Sequence, residues 1–245
     1  MKGLFTRLLL STALAIQAAG AAELRLFTDN HPPLHFERDG ELVGFAVDLV
    51  RELARETGDS IQLERLPLLR ALVIAREGPD LAVFTILRTP NREADYQLVG
   101  PVLKVQTALY ALADHTPAIA GLDDARKVQR IAAPRKWLIY RRLQEMGFTN
   151  LYGVDTPEQM MRLLRLGRTD LVAADTLSVA TLAREEGLAP EQLRYVAPVT
   201  HQSSYIAFSR QTDAHIVARW QQALEKVRAD GRLVKLERKW LGGPR

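Results

Sequence analysis

An arginine just beyond the end of a buried strand is well set to hold an anion, because its guanidinium offers two parallel donors to a planar carboxylate. Arg92 stands in that position, in Arg88-Thr89-Pro90-Asn91-Arg92-Glu93 after the apolar run Leu81 to Leu87. A turn-capping surface arginine would look similar, but the strand end favours ligand contact. Arg88 and Arg70 suit a contact and a solvated surface equally, and Thr85 is the hydroxyl inside the apolar run. Asp175 follows a second apolar run, Asp170 to Ala174, where a carboxylate either meets a cation or caps the next helix.

Asp29-Asn30-His31-Pro32-Pro33 follows a third apolar run, Leu24 to Thr28. The two prolines block a helix, so Asp29 and His31 lie on a shaped loop that either lines a cleft or is solvated. His31 and His35 cannot share one helix face, and a metal site is not expected. Pro134-Arg135-Lys136-Trp137 joins a further strand to an amphipathic helix. There Trp137 suits the core or a ligand platform, with the cations beside it. G-x-S-x-G, H-E-x-x-H, G-x-x-x-x-G-K and G-x-G-x-x-G are all missing, so neither an enzyme nor a cofactor is expected.

The elements that position these residues alternate. Apolar spacing predicts strands at 24–28, 61–66 and 81–87, with helices at 46–57 and 68–77 between them. A strand over 106–113 leads to a polar stretch, Asp114 to Asp124, broken by Pro117 and Gly121. A second series follows, with strands at 130–133, 150–154 and 170–174 and helices at 137–146, 157–166 and from Asp175 to Glu186. Thr156-Pro157-Glu158-Gln159 is a capping box with proline at the first helical position. A strand at 204–208, a helix from about Asp213 to Ala229 and a final segment to Trp240 complete the pattern. Two such series imply an α/β fold of two mostly parallel sheets flanked by helices, with a ligand crevice at the strands' carboxyl ends.

Of 245 residues, 47% are hydrophobic and 25% charged, the balance of a chain that folds. Lys2 and Arg7, the apolar run Leu8 to Ile16 and the small-residue end Ala19-Gly20-Ala21 predict a signal peptide over 1–21 and a periplasmic destination. Its apolar stretch is shorter than the ~20 residues that span a bilayer. Without Lys2 and Arg7 the chain carries 31 basic against 29 acidic residues, which gives no case for nucleic acid. With no cysteine, disulfides and thiolate metal sites are excluded. The expected product is a monomer that is not inserted in the membrane.

Four segments in order resemble the type II periplasmic solute-binding proteins, in the family of polar amino-acid binders that serve ABC importers. They are Thr28-Asp29 to Pro32-Pro33 with Gly44-Phe45-Ala46-Val47-Asp48; Asp80-Leu81-Ala82-Val83 to Thr89 and Arg92 with Gly100-Pro101 read as a turn; Gly167 to Asp175; and Tyr205-Ile206-Ala207-Phe208 with Gly231 to Trp240. The resemblance implies that Arg92 binds a ligand carboxylate and Asp175 its ammonium group. It also implies a permease partner and lobes at 22–105 and 106–200, with a return to the first lobe over 201–245. Hinges are then expected near Val102 to Ala108 and Val199 to Ser204. The chain departs from the family at Leu87, where a second hydroxyl is common, and at Pro134 to Trp137, where a glycine and hydroxyl loop is replaced. The expected ligand contacts are Asp29, His31, Arg70, Thr85, Arg88, Arg92, Arg135, Trp137 and Asp175. A ligand sensor, or a dehydratase-like enzyme using Asp29, His31 and Asp175 as acid and base, is the alternative on the same fold.

Overall fold

The computed structural model describes residues 21–114 and 119–242; the expected signal peptide lies, but for Ala21, outside the described residues. The chain opens with β1 (Glu23–Thr28), a small hairpin of β2 (Phe36–Arg38) and β3 (Glu41–Val43), then α1 (Phe45–Thr57), β4 (Ser60–Arg65), α2 (Leu68–Ile74), β5 (Leu81–Leu87) and α3 (Pro90–Asp95). The long strand β6 (Tyr96–Leu112) carries it into a second lobe of α4 (Leu122–Ala125), β7 (Ile131–Pro134), α5 (Leu138–Glu145), β8 (Leu151–Val154), α6 (Pro157–Arg165), β9 (Leu171–Asp175) and α7 (Val179–Glu185). β10 (Leu193–Ser209) returns, and α8 (Ala214–Ala229) and α9 (Arg232–Leu241) pack on the first lobe. One eight-stranded sheet runs β4-β1-β5-β10-β6-β9-β7-β8. Its pairs are parallel at both outer ends and antiparallel around β10 and β6.

Both faces of each lobe's sheet are covered, so its strands are apolar on both sides. Leu24 and Leu26 of β1 join α1, α8 and α9 in one cluster, while Phe27 points the other way toward Ala71 and Ala75 at α2. In the second lobe Ala108, Tyr110, Val172 and Ala174 face α6 and α7, and Leu109, Ala111, Leu171 and Ala173 face α5. Strand periodicity produces both alternations. Gly44, at φ 126°, lets the start of α1 close on the loop that follows β1: a Cβ there would meet Leu34 O at 2.5 Å. The loop carrying His31 is thereby fastened to α1.

The expected strand at 106–113 begins ten residues earlier, at Tyr96, and Gly100-Pro101 lies within it rather than in a turn. Proline has no N–H to give the ladder, and the register shifts there, from Val99↔Ile206 to Leu103↔Ser204. The strand expected at 204–208 likewise begins earlier, at Leu193. The two crossing segments pair with each other, Leu103↔Ser204 through Thr107↔Thr200. The helix expected from Asp175 starts instead at Val179, because Asp175 completes β9 and its side chain holds the connecting turn. In the capping box, Thr156 accepts from Gln159 N at 3.2 Å, while Gln159 Oε1 reaches the amide of Asp155, one residue before the cap.

Candidate functional site

A cavity of about 160 Å³ lies where the loop after β1, the end of β5 with α3, the crossing strands, the start of α5 and the end of β9 converge. A void of this size class accepts a benzene-sized molecule. Asp29, His31, Thr85, Arg92, Trp137 and Asp175 line it, as do His35, Lys136 and Arg141. The remaining lining is largely apolar, from Leu34, Leu68, Leu69, Ile86 and Ile139 among others.

Asp175 is buried at the carboxyl end of β9. Its Oδ1 accepts from Leu177 N at 3.0 Å and Ser178 N at 2.9 Å; its Oδ2 accepts from Ser178 Oγ at 2.5 Å and lies 2.8 Å from His31 Nε2. Burial alone would raise this carboxyl, but the charge and hydrogen bond of His31, with those of Ser178, hold it down to about 2. Burial likewise works against the His31 cation; charge and hydrogen bond from Asp175 outweigh it, and the imidazole is raised above its ordinary value. The resulting ion pair joins the lobes.

The His31 ring also faces Trp137 of the second lobe, with centroids 5.3 Å apart, and His35 on its own side at 5.8 Å. His35 is buried, and burial lowers its pKa despite Asp29 nearby. Its Nδ1 lies 3.1 Å from Asp29 O and 3.5 Å from Asp29 Oδ1. Of two adjacent imidazoles, one is therefore pushed toward its charged form and the other toward its neutral form.

Arg92 is held by α3. Thr89 caps the helix, its hydroxyl accepting from Arg92 N at 3.3 Å, and Arg92 Nη1 donates to Leu87 O at 2.7 Å. Burial lowers the guanidinium's pKa, Tyr96 opposes that, and Arg141 adds to it from the second lobe. Among the described residues no carboxylate comes within ion-pair distance of Arg92, Lys136 or Arg141. Arg92 thus keeps guanidinium donors for an anion inside the cleft.

Three expected contacts lie elsewhere. Arg88 is exposed, paired with Glu93 and set over the Tyr205 ring at 5.9 Å, since it points away from the strand end that turns Arg92 inward. Arg70 is exposed on α2, whose Leu68 and Leu69 reach the cavity instead. Arg135 is exposed, laid across Gly153, where a Cβ would come 2.6 Å from its Cγ, and bound to Asp155 at 3.0 Å. Arg141 was legible only as one more basic residue of an amphipathic helix, yet it stands four residues after Trp137 and so shares its face. Ser178 carried no signal, because its role depends on the turn that Asp175 folds.

The family model for bacterial extracellular solute-binding proteins, family 3, matches residues 24–243. PatH of Vibrio harveyi, assigned by inference as an amino-acid ABC transporter-binding protein, is 25% identical over 94% of this chain and 92% of its own. The L-cystine-binding protein TcyA of Bacillus subtilis is 26% identical over 85% of this chain and 76% of its own. Among solved structures, a histidine kinase sensor domain similar to periplasmic binding proteins superposes with a TM-score of 0.80 at 25% identity. It covers 91% of this chain and 99% of its own.

Proposed function

We propose, from the premise that the chain belongs to the bacterial extracellular solute-binding proteins, family 3, that it is exported to the periplasm and closes two lobes around a small carboxylate-bearing solute. The solute is an amino acid or a related acid, delivered to an ABC-type permease. The observation that carries this reading is Arg92: a largely buried guanidinium facing the cavity with no carboxylate of the described residues within ion-pair distance. A buried cation of that kind is matched by an anionic ligand. Asp29, His31, Thr85, Trp137 and Asp175 complete the contact set, and Lys136 and Arg141 stand at the mouth.

Arg92→Ala removes the guanidinium and no core contact. Titration calorimetry should show at least a hundredfold loss of affinity for whichever acid the wild type binds, with the thermal midpoint of the free protein little changed. Unchanged affinity would remove Arg92 from the site.

The match to a histidine kinase sensor domain supports a second reading, in which the closed form signals through a receptor. Ligand-dependent capture of a permease subunit supports delivery, and capture of a kinase supports sensing. The dehydratase-like alternative draws on the His31–Asp175 pair and Asp29 as acid and base. Recovery of the bound acid unaltered after prolonged incubation would count against it, and a new product would favour it.

A further inference from the structure

Asp175 is the carboxylate with which the second lobe lines the cleft, and its acceptors are fully used. A carboxylate presents about four lone-pair sites. Two backbone amides take Oδ1, and the Ser178 hydroxyl and the His31 imidazole take Oδ2. A ligand ammonium would have to displace His31, and that residue is held from three sides. Its amide donates to His35 O at 2.7 Å, its carbonyl accepts from the amides of Leu34 and His35, and its ring rests against Trp137. Displacement would also leave an imidazolium without its buried partner, a cost that the arriving ammonium must exceed.

The charges lining the cavity point the same way. His31, Arg92, Lys136 and Arg141 face Asp29 and Asp175, four cations against two carboxylates, while burial keeps His35 neutral. Asp29 does not stand free for an ammonium either: its carboxylate lies beside His35, and its charge falls on His31 and Arg92. Two positive charges remain unmatched, and Arg141 acts on Arg92 across the space between the lobes. Like charges focused on one apolar-walled cavity favour an anion over a zwitterion.

We propose that the cleft selects small carboxylate anions that lack an ammonium group, such as 2-oxo acids, 2-hydroxy acids and dicarboxylates, with His31 standing where an amino acid would place its ammonium. The proposal rests on the reading of the cleft as a carboxylate site held by Arg92.

The test is paired titration of the exported protein with glutamate and 2-oxoglutarate, aspartate and malate, alanine and pyruvate, and leucine and its 2-oxo acid. In at least one pair the deaminated acid should bind tenfold or more tighter than its amino counterpart. His31→Ala uncovers one acceptor of Asp175, and the preference should fall by tenfold or reverse. An amino acid bound as well as or better than its partner acid by the wild type, and lost with Arg92→Ala, would overturn the proposal and leave the carboxylate site standing. Failure of every acid in both sets to bind would overturn the carboxylate site, and the selectivity with it. Should H31A not fold, the wild-type pairs decide alone.

Discussion

His31 and Asp175 hold each other's charge, so the contact between the lobes depends on pH with a definite sign. Asp175 is depressed to about 2, and a depressed carboxyl contributes stability above its unfolded value that is lost as pH falls through the folded one. His31 is raised, and a raised imidazole contributes stability that is complete below its unfolded value and lost as pH climbs through the folded one. The pair is therefore fully formed between about pH 4 and 6.5 and weakens above that range. Asp29 strengthens the His31 charge from its own loop, while the neutral His35 packs beside it. The wild-type thermal midpoint should fall from pH 6 to pH 9 more steeply than that of His31→Ala; parallel curves would mean that the pair adds nothing to the fold. Arg92 and Asp175 are legible in the sequence because each stands at the end of an apolar run. His31 is legible as a loop residue of the cleft, but its pairing with Asp175 is not: 144 residues separate the two, and no local pattern connects them.

Position at the site is a property of short elements. The six residues of α3 are too few for a helical period to show, yet this turn decides that Arg92 points inward while Arg88 points out. Its cap bonds the amide of Arg92 itself, Thr89 Oγ1 accepting from Arg92 N. Thr89→Ala should lower ligand affinity severalfold and cost about 1 kcal/mol of stability, and Thr89→Ser should restore both. Equal affinity for Thr89→Ala and wild type would show that the Leu87 carbonyl alone orients the guanidinium. The longer elements are those the sequence displays best: α1, β5, α6 and α8 all lie where apolar spacing and caps predict them. The β2–β3 hairpin, with three residues a strand, leaves no readable alternation. Gly100-Pro101 has the composition of a turn, and only pairing with β10 reveals a strand that runs through it.

At the scale of the whole molecule, one continuous sheet joins the two lobes, and the closure proposed above would bend the paired residues 103–107 and 200–204 that cross between them. Away from that ribbon the second lobe reaches the first through Trp137, which faces the His31 ring, and through the turn after β9. Asp175 at its start bonds His31, and Leu177 packs against the cluster built from α1, α8 and α9, outside the ligand cavity. A ligand shifts closure only by its differential affinity for the open and closed forms, and contacts made on closing set how much of that affinity is observed. Leu177→Ala removes such a contact without touching the cavity. Calorimetry should show affinity reduced severalfold, because part of the ~1.5–3 kcal/mol for burying a leucine no longer favours the closed form. At a hundred times its own dissociation constant, ligand should still stabilise this variant by about 2.7 kcal/mol, a rise of roughly 5–11 °C in the midpoint. An affinity equal to wild type would mean that Leu177 stays packed in both forms and that the hinge lies to its far side, so that the turn travels with the first lobe.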